Sequence, residues 1–286
     1  MSNSLISLGL GFGGGKASTS SGRIDSGVTI DGALTTELAE PLTAENGDIL
    51  LFELAAGLPS ITNTYSVEFD GNDDFMTCGT VSALNNATNF TLSMWVNFQT
   101  FVSNGSGYNI LLGAGTGGSD RFILNAVRNS STLADRFEVY FCDPAGASIV
   151  NISAGLVLNT WYHMAVYKSG ADMSFYIDNT LMGSRSNAPS TGSGANFAIA
   201  RGLYGGLYSS NILVDEVAVW DSDQSSNKDS IYNSGVPTDL SSLSPVHWWR
   251  MGDNDSGSGT TITDQGSGGN DGTLTNGPAF STTVPS

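Results

Sequence analysis

Apolar and polar residues alternate over several short stretches of this chain. In Phe90-Thr91-Leu92-Ser93-Met94-Trp95-Val96-Asn97-Phe98 a large apolar side chain falls on every second position, the period of a β-strand with one face in a core. Tyr65 to Phe75 shows the same pattern in miniature: Val67 and Phe69 alternate, Asp70-Gly71-Asn72-Asp73 is a dense turn signal, and Phe75 opens a new strand. Trp161 to Tyr167 and Ile212 to Trp220 read as strands too. Further strands are expected at Tyr108 to Leu112, Arg121 to Val127, Phe137 to Phe141 and Ile149 to Ile152, each set off by Gly, Asn, Ser or Asp. One helix is predicted, between Ser222 and Gly235, with a Ser/Asp start, Ile231 and Tyr232 as apolar anchors, and Gly235 then Pro237 as the stop.

The flanks read differently. Residues 1–22 join a short apolar segment, Leu5 to Phe12, to a Gly/Ser/Thr run, the composition of a docking peptide on a flexible linker or of a disordered terminus. Residues 23–63 form an acidic connector with one strand signal, Asn46 to Glu53. The body then occupies residues 64–252, and residues 253–286 form a tail that packs on the body or on a neighbouring protomer.

Four segments in this order, Phe69-Asp70-Gly71-Asn72-Asp73-Asp74-Phe75, Phe90 to Val96, Trp161-Tyr162-His163 leading to Tyr176-Ile177-Asp178-Asn179, and Asp215-Glu216-Val217, resemble the laminin-G-like and pentraxin-like branch of the concanavalin A-type jelly rolls. The resemblance implies an all-β, two-sheet antiparallel jelly-roll sandwich, here with an extended N-terminal arm. His247-Trp248-Trp249-Arg250 and Thr261 to Leu274 are similar to the preamble that in such domains precedes the Phe-Asp-Gly strand, yet here they come last. A circular permutation, with Trp248 to Met251 closing the chain's own sheet, accounts for that order. The piece from Thr43 to Glu53 resembles segments near the N-terminal ends of marine bacteriophage fibre and virion proteins.

Composition narrows the function. The 36 glycines and the scarcity of long charged side chains suit many short strands joined by turns. Ten basic against 27 acidic residues give a formal net charge of −17, which repels phosphate backbones and disfavours nucleic-acid binding. The N-terminus has no basic segment ahead of its apolar run, so it reads as a poor signal peptide, and no stretch is apolar enough to span a membrane. Cys78 and Cys142 are then expected as unpaired thiols, and the Asn-x-Ser/Thr sites at Asn86, Asn89, Asn104, Asn129 and Asn151 as unmodified.

Candidate chemistry is sparse. Gly9 to Gly14 and Gly113 to Gly118 both match Gly-x-Gly-x-x-Gly, but neither runs into a helix whose N-terminus could hold a phosphate. No catalytic residues are assigned: jelly-roll glucanases carry spaced acids on one strand, and adjacent Asp215-Glu216 lacks that spacing. His163 and His247 read as structural. Calcium is the ligand with most support, because Asp70, Asn72, Asp73 and Asp74 crowd hard oxygens into one turn and the resemblance places Asp215 near it. The double calcium site of pentraxins is not expected, since its acidic loop corresponds to Arg201 to Tyr204. That loop, with Arg201, Tyr204 and Tyr208 among glycines, is the candidate ligand-binding surface, unless the tyrosines fold back onto the core.

The reading is a non-enzymatic virion appendage, a tail or head fibre or decoration protein. It would be made in a host cytoplasm, docked to other virion proteins through its N-terminal arm, and homo-oligomeric, displaying a lectin-like jelly roll to host-surface glycans. The alternatives are a polysaccharide-degrading hydrolase or lyase on the same fold, and a bacterial surface adhesin.

Overall fold

The computed structural model describes residues 58–100, 108–115, 121–128, 135–143, 146–153, 157–191, 196–201 and 210–286. The N-terminal arm and the strand expected at Asn46 to Glu53 lie outside them, as do Tyr204 and Tyr208. The described residues form sixteen strands: β1 (Ser66–Asp70), β2 (Phe75–Thr80), β3 (Phe90–Thr100), β4 (Tyr108–Gly115), β5 (Arg121–Arg128), β6 (Asp135–Asp143), β7 (Gly146–Ser153), β8 (Trp161–Ser169), β9 (Asp172–Ile177), β10 (Thr180–Arg185), β11 (Asn196–Ile199), β12 (Asn211–Trp220), β13 (His247–Trp249), β14 (Thr261–Ile262), β15 (Gly272–Thr275) and β16 (Ala279–Ser281). They form two antiparallel sheets. One runs β10-β9-β8-β3-β12-β1-β16 with β13 also on β12, and the other runs β14-β15-β2-β11-β4-β5-β6-β7. This is the two-sheet jelly-roll sandwich expected from the sequence.

Alternation sets the two faces of the first sheet. Phe90, Leu92, Met94, Val96 and Phe98 point inward, where they join Val67, Phe69, Met164, Val166 and Phe175 against Met76, Leu112, Leu124, Phe197 and Ile199 of the second sheet. The other face is covered as well, so β3 is buried over nearly its whole length. There Ala165, Tyr167, Ala218, Trp220 and Trp248 pack beneath Ile231 and Leu240, with Leu58, Ile61 and Leu243 at the margin. Trp220, 1% exposed, donates its indole N–H to Leu243 O at 3.0 Å. Filling that layer with apolar side chains stabilises by roughly 1.5–3 kcal/mol per large residue.

The cover includes the predicted helix, in shortened form. Only α1 (Lys228–Tyr232) is α-helical, with single 3-10 turns at Ser225–Asn227 and Asn233–Gly235 on either side. Asn233, at φ +46°, and Gly235, at φ +96°, turn left-handed and end it. Residues 58–63, assigned from sequence to the connector, also belong to this layer: Ser60 bridges Thr238, and Pro59 O accepts from Asp239 N and Thr238 Oγ1 at 2.8 and 2.9 Å.

The C-terminal tail closes its own domain in both sheets. β16 pairs with β1 and β15 with β2, while β13, just ahead of the tail, pairs with β12. Its long turn holds together through close backbone approach. Gly252 sits at φ +118°, and a Cβ there would fall 2.7 Å from the Phe280 ring. Farther on, Gly268 lies flat against His247, where a Cβ would stand 2.2 Å from Cε1. Asp264 organises this loop. It accepts from His247 Nδ1 at 2.7 Å and from the amides of Trp248, Gly266 and Asn270 at 2.8–2.9 Å. Burial works against the charged form, but these hydrogen bonds outweigh it and hold the carboxyl below the usual range.

Candidate functional site

The turn from β1 to β2 crosses between the sheets, and its sequence forces acids together. Asp70 ends β1 and Gly71 takes φ +80°, which reverses the chain within a few residues. Asp70 accepts from Asn72 N and Asn72 Nδ2 at 2.8 and 2.9 Å, and Asp74 Oδ2 accepts from Asp70 N at 3.1 Å. Oxygens of Asp70, Asp73 and Asp74 thereby lie within 4.8 Å of one another, Asp70 and Asp73 exposed and Asp74 buried. Hydrogen bonding from Asn72 keeps the Asp70 carboxyl below its ordinary pKa. Burial, followed by the charges of Asp70 and Asp73, raises that of Asp74. The tail braces the turn, Asn276 Nδ2 donating to Asp73 O at 2.9 Å.

Three carboxylates close to one another, one of them pushed toward neutrality by burial and then by its acidic neighbours, suit a hard divalent cation of the calcium type; Asn72 keeps its side-chain oxygen as a further ligand atom. Arg201 stands next to this turn, its guanidinium 4.2 Å above the Phe75 ring. Tyr204 and Tyr208, expected with it on one loop, lie outside the described residues.

Asp215 does not join the acidic turn. In the β1–β12 register Asp70 faces Asn211 and Val67 faces Val214, so Asp215 lies beyond Val214, four residues from Asn211, or about 13 Å along the strand. The cause of its separate role is a bulge. Asp215 pairs with Trp95 and Ala218 with Ser93, leaving one extra residue on β12, with Glu216 at φ +46°. The kink brings both acids into a sealed polar cluster. Asp215 accepts from Asn63 Nδ2 at 2.9 Å and from Glu216 N at 2.8 Å. Glu216 accepts from Trp248 Nε1 at 2.6 Å and Arg250 Nε at 3.0 Å. Arg250 also donates to Thr62 O and Asp253, and Asp253 caps the amides of Thr64 and Tyr65. Burial, then the charge of Glu216, pushes Asp215 well above the carboxylate range. Burial raises Glu216 to about 7 against the pull of Arg250.

Sequence reasoning missed a third place. On the outer face of the first sheet a cavity of about 380 Å³ is lined by Trp95, Asn159, Thr160, Trp161, Asp178, Tyr232 and Gly235, with Pro285 and Ser286 at its edge. Trp161 is only half-buried, because it starts β8 beyond the margin of the apolar cover. Trp95, 5% exposed, stacks with Tyr232 at 6.2 Å and lies 4.9 Å from the His163 ring. His163 bonds Ser93 Oγ at 2.8 Å, and burial lowers its pKa to about 3, so it stays neutral at physiological pH. Its backbone N–H donates to Asp178 Oδ1 at 2.8 Å. The tight turn after β9, with Asp178 at φ +47° and Asn179 at φ +59°, aligns that acid. Cys78, by contrast, is a buried free thiol whose pKa burial drives upward, and it behaves as a small core residue.

Two twisted sheets closed by a tail, with an acidic turn at one seam, define a lectin-type sandwich. The sequence profile of the concanavalin A-like lectin/glucanases superfamily matches residues 70–228, and the chain belongs to that superfamily, whose fold is a carbohydrate-binding one. A candidate carbohydrate-binding protein from Bacteroides ovatus is similar in structure, with a TM-score of 0.58 and 20% identity over 79% of this chain and 62% of that one. The chain therefore spans less than two thirds of that protein's length. The heptameric SAP-like pentraxin of Limulus polyphemus aligns with a TM-score of 0.47 and 16% identity, covering 60% of this chain and 83% of that one. Tailspike protein 2 of bacteriophage CBA120 aligns with a TM-score of 0.44 and 14% identity over 65% and 32%. No curated protein matches the chain in sequence.

Proposed function

We propose that this protein is a non-enzymatic glycan-binding module in which calcium at the β1–β2 turn helps to hold the sugar. The observation that carries the proposal is the convergence of Asp70, Asp73 and Asp74 within 4.8 Å beside Arg201, on a lectin-type sandwich. These carboxylates and the Asn72 side-chain oxygen would hold the ion, which when bound supplies open coordination positions for vicinal hydroxyls. Arg201, its face occupied by Phe75, keeps its edge N–H groups for sugar oxygens or an acidic substituent.

The non-enzymatic part of the reading is supported by the enclosure of Asp215 and Glu216, whose oxygens are taken up by Asn63, Trp248 and Arg250. The placement on a virion, as an oligomeric fibre or decoration appendage, is supported by the apolar segment and Gly/Ser linker of residues 1–22. A glycan array probed with and without EDTA, together with co-sedimentation of the protein with phage particles, tests both parts. Calcium-dependent binding supports the first; failure to bind any glycan overturns it, and absence from particles overturns the second.

A second reading, a glycoside hydrolase or lyase, draws on Glu216, whose pKa near 7 is that of a general acid. Shortening of bacterial polysaccharides by the wild type but not by Glu216→Gln would establish it.

A further inference from the structure

We propose that the aromatic cavity on the outer face of the first sheet is a second sugar-binding site, one that takes a neutral pyranose and needs no metal. It extends the glycan-binding reading but stands apart from the acidic turn. Trp161, on β8, and Asp70, on β1, are separated by three strand spacings, about 14 Å across the sheet.

The lining argues for a sugar over other small ligands. Trp161 and Tyr232 are half-buried aromatics at the opening, and Trp95 lies stacked behind Tyr232. Such surfaces meet the C–H face of a pyranose ring by dispersion and burial of apolar area. Around them stand groups that hydrogen-bond hydroxyls: the Asp178 carboxylate, the Thr160 hydroxyl and the Asn159 amide. Two of the polar groups lack full protein partners among the described residues. The Trp161 indole N–H is buried with no acceptor. Asp178 places Oδ1 on the His163 amide and has no partner assigned to Oδ2. A buried donor without an acceptor is costly, and a ligand oxygen that reaches Nε1 as the half-buried indole turns toward the opening relieves that cost.

This pairing selects the ligand class. A quaternary ammonium could use the aromatic rings and Asp178 but offers nothing to the Trp161 N–H. An acidic sugar would bring its charge against Asp178, and none of the described residues lining the cavity is basic. A neutral sugar supplies both the acceptor for Trp161 and the donor for Asp178. At about 380 Å³ the cavity suits one or two pyranose units.

The test uses the full chain and a panel of neutral methyl pyranosides and their disaccharides. Binding is followed by titration calorimetry and by tryptophan fluorescence, in calcium and in EDTA. Trp161→Phe keeps an aromatic ring at the opening but removes the N–H together with the pyrrole part of the stacking face; Asp178→Asn keeps an acceptor for the His163 amide and removes the charge. Binding that survives EDTA and the double variant Asp70→Asn/Asp73→Asn, and that weakens at least tenfold in Trp161→Phe and in Asp178→Asn, supports the site, provided near-ultraviolet circular dichroism shows both variants folded. Binding that EDTA abolishes and Trp161→Phe leaves intact overturns this site while sparing the acidic turn. No binding of any neutral sugar, where acidic glycans still bind in calcium, overturns it as well. No binding of any glycan overturns both.

Discussion

Two groups of acids in this domain have similar composition and opposite surroundings. Asp215, Glu216 and Asp253 meet Asn63, Trp248 and Arg250, and their oxygens are used up by the protein. Asp70, Asp73 and Asp74 meet mainly each other, with amide groups alone as donors. The first group fastens the N-terminal segment and the tail to β12. The second leaves negative charge unmatched at the surface. What separates the neutralised acids from the unmatched ones here is the cation and the indole that reach the first group.

The comparison breaks most visibly at Arg250. Arg250→Met leaves Glu216 and Asp253 without their cation, and a loss of about 3–5 kcal/mol in urea-denaturation stability at pH 7 is expected. Adding Glu216→Gln to that variant should restore little of the loss at pH 7, since Glu216, which titrates at about 7 even beside Arg250, takes up a proton once the cation is gone.

Calcium should give the next largest effect. At a concentration a hundredfold above its dissociation constant it should stabilise the wild type by about 2.7 kcal/mol, read as a rise in Tm that EDTA reverses. Asp70→Asn/Asp73→Asn should abolish the rise, and an unchanged Tm in wild-type protein would remove calcium from the proposal. Without calcium the single change Asp73→Asn should shift stability by no more than about 0.5 kcal/mol, the smallest effect expected, because it sits exposed among like charges.

The sealed group should also reveal itself through pH. Glu216 titrates near 7 when folded and near 4.5 when unfolded, so its proton is held more tightly in the folded state. Its stabilising contribution is complete below about pH 4.5 and is lost as pH rises to about 7. His163 runs the other way. Burial lowers its pKa from 6.5 to about 3, so its contribution is complete above pH 6.5 and is lost as pH falls toward 3. Comparing Tm across pH 4–8 for wild type, Glu216→Gln and His163→Gln should therefore show differences of opposite slope. Parallel curves would contradict the burial described for both groups.

The sequence carried the sandwich well where strands were long. In β3 the alternation is plain, and in β12 a nearly continuous apolar run marks a strand covered on both faces. The tail was harder to read: β14, β15 and β16 have two, four and three residues, too few for periodicity to register. Its resemblance to a domain preamble gave the better clue to how it closes the sheets. The helix was overextended because its apolar anchors and stop signals do not report the left-handed turn at Asn233.

Within the candidate sites, the acidic turn was legible because its residues are consecutive. Asp215 was assigned to it by resemblance, and only the register and the bulge show that it belongs with Glu216 and Asn63 instead. The aromatic cavity is scattered over β3, β8, the turn after β9 and α1, so no local pattern could assemble it. Tyr176-Ile177-Asp178-Asn179 was visible as a motif, and the left-handed pair Asp178-Asn179 was the part of it that mattered.

The tail that completes both sheets also returns the chain to the residues leading into β1. Ser66 Oγ donates to Thr283 O at 2.8 Å, and Asn63 Nδ2 reaches Pro285 O at 3.5 Å. Two pieces of chain widely separated in sequence therefore latch one another, and trimming residues 283–286 would release both latches at once and loosen the edge where β16 lies on β1.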